Sequence, residues 1–214
     1  MKFVDGGIIG SAPSLKGAVS GKETGINVTK APESTHAWNR PSIPVSGPNP
    51  LSEAPISGSH IEELLNIKHI SRDIGPASGL KCCFATTTKG FTALCIQAFT
   101  TAHQMGVLEH LKEEMGTRIP TLLKTAEGGV PGMPPKAYRW VKEMEEIGMA
   151  HSEEGGFEGQ GKGIFDAVAE VYRTVSEDTV LGEEKTERRK RGCTVEDVAA
   201  AMGEGLDKRR RKME

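Results

Sequence analysis

The sequence is poor in aromatic residues and has no long hydrophobic run. Phe, Trp and Tyr make up 5% of its 214 residues. No stretch approaches the roughly 18 uninterrupted apolar residues that suggest a membrane-spanning helix, and the N-terminus lacks the apolar core and cleavage site of a signal peptide. Because 36% of the residues are hydrophobic and 26% are charged, the composition is that of a globular protein with a core. We therefore expect a cytoplasmic protein that has no membrane partner.

Spacings typical of metal sites, disulfide redox pairs and hydrolase nucleophiles are also missing. None of the cysteines is part of a C-x-x-C pair, and Cys82 and Cys83 are adjacent, which does not suit a disulfide on a helix. The histidines show no H-x-x-x-H spacing, and there is no G-x-S-x-G. This pattern predicts no metal ligand, and it favours a reducing compartment with inert thiols.

Positive and negative charges nearly balance, since the formal net charge is -2. Bulk electrostatics therefore argue against a nucleic-acid partner. Two basic clusters, at 187–191 and 208–212, leave a second interpretation open, in which they contact phosphates or act as a nuclear address. The simpler interpretation is a solvated linker and a frayed tail, because no aromatic residue is interleaved with the basic ones.

Motifs for binding nucleotides are incomplete. The stretch "GFEGQGKG" at 156–163 satisfies G-x-x-x-x-G-K, but Gly163 stands where a Ser or Thr would bind magnesium, and no apolar strand precedes it. We interpret it as a loop between helices. Nowhere does a strand lead into G-x-G-x-x-G, so the sequence lacks a complete dinucleotide fingerprint.

The N-terminal third predicts a small α/β region. "KFVDGGIIG" is typical of the last strand of a sheet whose earlier part is absent, and residues 13–41 are typical of a loop insertion, rich in Gly, Ser, Pro and Thr. A short strand is expected in 42–48. Ser59 and Glu62 have capping-box spacing at the start of a helix, and another strand is expected before Gly75.

The remainder predicts helices. Residues 77–105 contain no proline and can form a helix of seven or more turns. Two further helices show apolar faces at helical spacing, and Thr194 with Asp197 can cap a last short helix; the expected faces are Tyr138, Val141, Met144 and Ile147, and Ile164, Val168, Val171 and Val175. The fold class is mainly α with a small α/β N-terminal remnant. We expect domains at 1–75 and 76–180, a charged linker at 181–193, and a short helix with a basic tail at 194–214.

The long helix carries two lysines that its small, apolar composition does not explain. Lys81, Ala85 and Lys89 are four residues apart, so they lie on one face of the helix. Most residues of that face are small, which lets a ligand or another segment approach closely. A lysine in such a place can exchange a proton with a substrate hydroxyl. The alternative is that both side chains extend along a half-exposed helix to reach water.

Three ordered motifs carry a resemblance to a family. "FVDGGIIGSAP", "GPASGLKCCFATTTKGFTAL" and "MPPKAYRWVKEMEEI" resemble the C-terminal half of the 6-phosphogluconate dehydrogenase-like, or β-hydroxyacid dehydrogenase, superfamily. The closest branch is the one with the phosphogluconate dehydrogenase NAD-binding C-terminal helical domain. The resemblance covers about residues 2–12 and 42–203. It implies a helical domain that forms a homodimer, beside a Rossmann domain that is largely missing from this chain.

The resemblance implies a hydroxy-acid substrate, NAD or NADP as cofactor, and Lys81 as the catalytic proton-transfer residue. The segment D-x-P-V-S-G-G of the superfamily falls on residues 5–11, which makes Gly10 and Ser11 candidate substrate-binding residues. The usual serine is replaced by Ile9, and the asparagines that commonly follow the lysine are replaced by Phe84 and Ala85. Cofactor-binding residues cannot be assigned.

Two functions remain open at this point. The first is the C-terminal part of an NAD(P)-dependent oxidoreductase that acts on the CH–OH group of a hydroxy acid. Because the dinucleotide fingerprint is missing, we expect this chain alone to bind the cofactor weakly or not at all. The second is a non-catalytic dimerisation module in which the 77–105 helix and the two apolar faces form the interface.

Overall fold

The computed structural model describes residues 3–16 and 38–214. Most of the insertion predicted at 13–41, and His36 within it, therefore lies outside the described residues. The flanks of that insertion form two short strands, β2 (Ser14–Leu15) and β3 (Trp38–Asn39), which pair antiparallel. The chain divides into two compact units, one that ends at Phe84 and one that begins at Ala85.

The first unit contains a three-stranded sheet in the order β1-β4-β5. Strand β1 (Asp5–Gly6) runs antiparallel to β4 (Ile43–Ser46), and β4 runs parallel to β5 (Ile67–Ser71). Helix α1 (Gly58–Leu65) connects β4 to β5. The strands predicted in 42–48 and before Gly75 are confirmed.

The helix predicted near residue 60 is present as α1, but the capping box predicted for it is wrong. Its N-cap is Ser57, which makes no side-chain cap hydrogen bond. Glu62 instead accepts a hydrogen bond from the backbone N–H of Ser52 at 2.9 Å, and the Ser59 hydroxyl donates to the Ser52 carbonyl at 3.5 Å. The Glu62 and Ser59 side chains thus bond to the preceding 3₁₀ turn, Leu51–Glu53, instead of capping the helix.

The long helix is confirmed as α2 (Pro76–Gln104), 29 residues that extend through both units. In the second unit it is followed by α3 (Leu108–Arg118), α4 (Pro120–Gly132), α5 (Ala137–Glu153), α6 (Gln160–Arg173) and α7 (Val195–Met213). Thr194 caps α7 as predicted, since its hydroxyl oxygen accepts from the N–H of Asp197 at 3.2 Å. The helix continues through the basic residues at 208–212, because nothing interrupts its hydrogen bonding there.

The core of the second unit forms where α2, α5, α6 and α7 bury their apolar faces. Its largest fully buried side chains are Tyr172, Phe99, Ile96, Met133, Met144, Leu181, Val130, Val175 and Val198. Helices α5 and α6 approach closely at Gly148, where an added Cβ would lie 3.3 Å from the Cα of Lys162. The predicted faces are largely confirmed, but Tyr138 and Ile164 are 70% and 62% exposed. Both residues lie near the N-terminal end of their helix, where the side chains do not reach the core.

Candidate functional site

The glycine-rich segment after β1 extends the sheet in a regular register. Asp5 lies opposite Ser46, and Ile9 exchanges two backbone hydrogen bonds of 2.9 Å with Ser42. The N–H of Gly7 donates to the carbonyl of Pro44 at 3.1 Å between these two pairs. Successive side chains in an extended strand alternate between the two faces. Asp5, Gly7 and Ile9 therefore share one face.

On this face, Asp5 holds the start of α2. Its carboxylate accepts hydrogen bonds from the N–H and the hydroxyl of Ser78, at 3.1 and 2.6 Å, and from the hydroxyl of Ser46 at 3.0 Å. The Ser46 oxygen in turn accepts from the N–H of Ala77 at 3.1 Å. Gly75, just before the helix, has no side chain to cap it, so β1 and β4 supply the caps for N–H groups that the helix leaves open.

The charge on Asp5 is stabilised in this position. The hydroxyl of Ser78 is the largest cause that lowers the pKa of the Asp5 carboxyl from its ordinary value of 3.8, with smaller contributions from the backbone of Ser78 and the hydroxyl of Ser46, against partial desolvation. A carboxylate at a helix N-terminus is also favoured by the helix dipole. Asp5 thus stays ionised and anchored at neutral pH.

Lys81 lies against Gly7, two residues farther along the same strand face. A Cβ added to Gly7 would lie 3.0 Å from Cδ and 3.1 Å from Cβ of Lys81. These distances are shorter than ordinary van der Waals contact, so the absence of a side chain at position 7 leaves room for the lysine stem. Lys81 is an exposed residue, so its ammonium group can meet a ligand from solution.

The two predicted substrate-binding residues lie farther along the segment. Gly10 has a φ of +114°, and a Cβ there would lie 3.3 Å from the Cα of Pro41. The chain turns at this glycine, and Ser11 beyond it is exposed. The contact between the segment and Lys81 is thus made at Gly7, which the sequence interpretation did not assign. A small residue two positions after the capping Asp5 is the signal that could have identified it.

Lys89, the second unexplained lysine, has a structural environment. It forms an ion pair with Glu143, and its ammonium lies 5.1 Å from the ring centroid of Trp140. The hydroxyl of Tyr172 donates to the backbone carbonyl of Lys89 at 2.5 Å, and Tyr172 packs edge-on against Trp140. The side chain of Lys89 is 17% exposed. Lys89 therefore ties α2 to α5 and α6 rather than facing a ligand.

The basic cluster at 187–191 also has structural contacts. Arg189 donates hydrogen bonds to the carbonyls of Pro131 and Gly192, and Arg191 pairs with Asp197 at 2.8 Å. The interpretation of this cluster as a solvated linker is wrong for these two arginines, because Arg189 bonds to a residue of α4 and Arg191 to a residue of α7.

Other kinds of site were sought in the part of the chain that the structure describes. No group of three or more His, Cys, Asp or Glu side chains there is placed to hold a metal ion. Among the helices of the described residues, none is long and apolar enough to cross a membrane.

Comparisons with known proteins agree with this architecture. Residues 102–175 match the family model described as Domain of unknown function (DUF1932). A conserved hypothetical protein from Sinorhizobium meliloti 1021 has a similar structure, with a TM-score of 0.57 and 20% identity, over 78% of this chain and 52% of that one. No curated protein sequence matches the chain.

A second solved structure carries a description of its fold. The conserved protein MTH1747, of unknown function, is reported to be structurally similar to 3-hydroxyacid dehydrogenases. It matches with a TM-score of 0.53 and 20% identity, over 82% of this chain and 57% of that one. The present chain spans about half the length of both structures. The suspected resemblance is thus confirmed at the level of the fold, which is mainly α with a small N-terminal sheet.

Proposed function

Starting from a DUF1932 match and a 3-hydroxyacid dehydrogenase-like fold, we propose that this chain is the C-terminal part of an NAD(P)-dependent oxidoreductase. The reaction would oxidise the CH–OH group of a hydroxy acid, with Lys81 as the proton-transfer residue. The contact between Gly7 and Lys81 is the observation that carries the proposal, since it sets a lysine beside a glycine-rich backbone.

Oxidation of an alcohol removes a hydride from carbon and a proton from oxygen, and the residues of this chain suit the second part. In the proposed reaction the Nζ of Lys81 takes up the proton that leaves the substrate hydroxyl. Gly10 and Ser11 are proposed to supply backbone and hydroxyl hydrogen bonds to the substrate. Because the sequence has no strand leading into G-x-G-x-x-G, its residues do not fit a dinucleotide by that motif. No step through NAD or NADP is therefore derived.

The binding of a hydroxy acid tests the role of Lys81. Titration of the chain with 3-hydroxybutyrate, followed by ligand-observed NMR, is expected to show saturable binding. Lys81→Met should weaken it by about tenfold or more, since hydrogen bonds to charged groups contribute roughly 1.5–3 kcal/mol. Lys68→Met, at an exposed lysine of β5, is the matched control and should bind as the unsubstituted chain does. Equal affinities in both variants would remove Lys81 from the site.

The alternative, a non-catalytic dimerisation module, keeps only one part of the interface predicted for it, the 77–105 helix. Val141, Met144 and Ile147 are buried within the chain itself, as are Val168 and Val175. A homodimer would use exposed apolar residues of that helix, such as Leu94 of α2, which is 61% exposed. Light scattering that shows a monomer at high concentration would exclude it.

A further inference from the structure

A cavity of about 600 Å³ opens between α2, α6 and α7 of the second unit. We infer that it binds a small uncharged molecule with several hydroxyl groups, of about the length of a disaccharide. Every residue that lines the cavity belongs to the unit that begins at Ala85, whereas Lys81 belongs to the first unit. The site is therefore separate from the one proposed for proton transfer.

One wall of the cavity is a polar stripe on α2. The stripe consists of Gln97, Thr100, Thr101 and Gln104, and their spacing of three, four and seven residues places them on one face of the helix. From the first to the last they extend over about 10 Å, since each helical residue rises about 1.5 Å. Amide and hydroxyl groups both donate and accept hydrogen bonds. This wall therefore suits a ligand with uncharged polar groups along about 10 Å.

Thr100 is the member of the stripe whose hydroxyl lacks a partner. The residue is 4% exposed, and its hydroxyl makes no hydrogen bond to any residue that the structure describes. Thr92 on the same helix shows the usual arrangement, because its hydroxyl donates to the carbonyl of Thr88 at 2.9 Å. A buried hydroxyl without a hydrogen bond is destabilising. A ligand hydroxyl that bonds to Thr100 therefore removes this penalty.

Helix α7 supplies much of the opposite wall, which is apolar. Met202 and Leu206 line the cavity there, and α6 adds the side chain of Val171. A Cβ added to Gly203 would lie 3.5 Å from the Nε2 of Gln104, so the amide of Gln104 reaches across to α7. Burial of hydrocarbon is favourable against such a wall. The cavity therefore suits a molecule with hydroxyls along one edge and C–H groups on one face, as in a sugar ring.

The charges at the cavity are balanced within the chain. Glu170 and Arg209 line it. Glu170 accepts a hydrogen bond from Arg173 at 2.8 Å, and Arg209 donates one to Asp178 at 3.2 Å. Because both charges already have a partner of opposite sign, neither requires a charged group on the ligand. This favours an uncharged ligand over an amino acid or an organic acid.

Isothermal titration of the full chain with maltose tests the site. Saturable binding is expected, and glucose should bind at least about fivefold more weakly, because it covers only part of the stripe and forms fewer hydrogen bonds. L-Glutamine, a zwitterion that also carries an amide, is expected not to bind. No saturable binding of maltose would overturn the inference, and so would tighter binding of glutamine than of maltose.

Thr100→Val separates a binding role from a structural one. It should weaken maltose binding by about fivefold and raise the Tm of the unliganded chain, because it removes a buried hydroxyl that has no partner. Thr92→Val is the matched control, at a threonine of the same helix that is 6% exposed. Since the Thr92 hydroxyl is paired, this variant should keep the maltose affinity and show no rise in Tm. Differential scanning calorimetry gives the Tm values.

Three results for the variants would contradict the site. Equal maltose affinities in Thr100→Val and Thr92→Val would overturn the inference. A lower Tm for Thr100→Val than for the unsubstituted chain would do the same, since the hydroxyl would then have a partner within the chain. If light scattering shows that Thr100→Val changes the oligomeric state, the cavity belongs to an interface between copies and the inference fails. The titration with 3-hydroxybutyrate tests the proposed function independently of these results.

Discussion

The carboxylate of Asp5 joins three elements, because it lies in β1 while its partners Ser46 and Ser78 lie in β4 and α2. Gly7, which contacts Lys81, is only two residues away. A change at Asp5 therefore alters the start of α2 and the position of Lys81 against the strand together. This makes Asp5 a positioning residue rather than a group that meets the substrate.

Asp5→Asn is expected to destabilise the chain by about 1 kcal/mol, because it removes a negative charge from a helix N-terminus and weakens charge-assisted hydrogen bonds, and to change its dependence on pH. The folded-state pKa of Asp5 lies below 3.8, so its contribution is complete above that value and is lost as pH falls through the lower, folded-state pKa. Urea denaturation of both proteins between neutral and acid pH measures this. Their stabilities should converge towards low pH; a constant difference across the range would contradict the role of ionised Asp5.

At the scale of elements, the segment that precedes α7, which follows the 3₁₀ turn Val180–Glu183, is held by its arginines. Arg189 reaches the carbonyl of Pro131 in α4 and that of Gly192, and Gly192 has a φ of +68°. Asp197 in the first turn of α7 accepts from both Arg191 and the N–H of Gly192. A segment that reads as a charged linker thus connects α4 to the start of α7.

Arg189→Gln should lower the free energy of unfolding by about 2 kcal/mol, since it removes hydrogen bonds from a charged donor to two backbone carbonyls. Arg188→Gln changes the exposed neighbour and should stay within about 0.5 kcal/mol of the unsubstituted chain. Urea unfolding of the two variants gives the comparison. Equal stabilities would mean that the segment is a solvated linker after all.

At the scale of the whole molecule, the chain has the helical part of a dehydrogenase-like fold and spans about half the length of its solved neighbours. Its sequence has no dinucleotide fingerprint. The proposed reaction requires a residue for proton transfer and a binding site for the cofactor. Lys81 is the residue proposed for proton transfer, whereas no residue is proposed for binding the cofactor.

Isothermal titration of the chain with NAD and with NADP is expected to show no binding in the low micromolar range, because the sequence has no G-x-G-x-x-G motif to take the pyrophosphate. The titration with 3-hydroxybutyrate under the same conditions is the positive control. A low-micromolar dissociation constant for either dinucleotide would show that another set of residues binds it.

Local patterns accounted for most of the elements. Proline-free small residues predicted α2, the capping pair Thr194 and Asp197 predicted the start of α7, and apolar spacing predicted the buried faces of α5 and α6. These signals act over one or two helical turns, which is the range at which sequence spacing fixes geometry. The capping box predicted for α1 failed because Glu62 accepts a hydrogen bond from Ser52, which belongs to another element.

The sequence by itself determined the helical order of this protein and drew attention to Lys81 and Lys89, since periodicity and residue type are local properties. The choice of Lys81 between the two came from the family resemblance. The tertiary structure alone decided what surrounds each lysine. Lys81 meets Gly7 from a strand that begins 76 residues earlier, at Asp5, and Lys89 meets Trp140 and Glu143 from α5. Such contacts depend on how strands and helices pack, and no spacing along the chain specifies which distant side chains will come into contact.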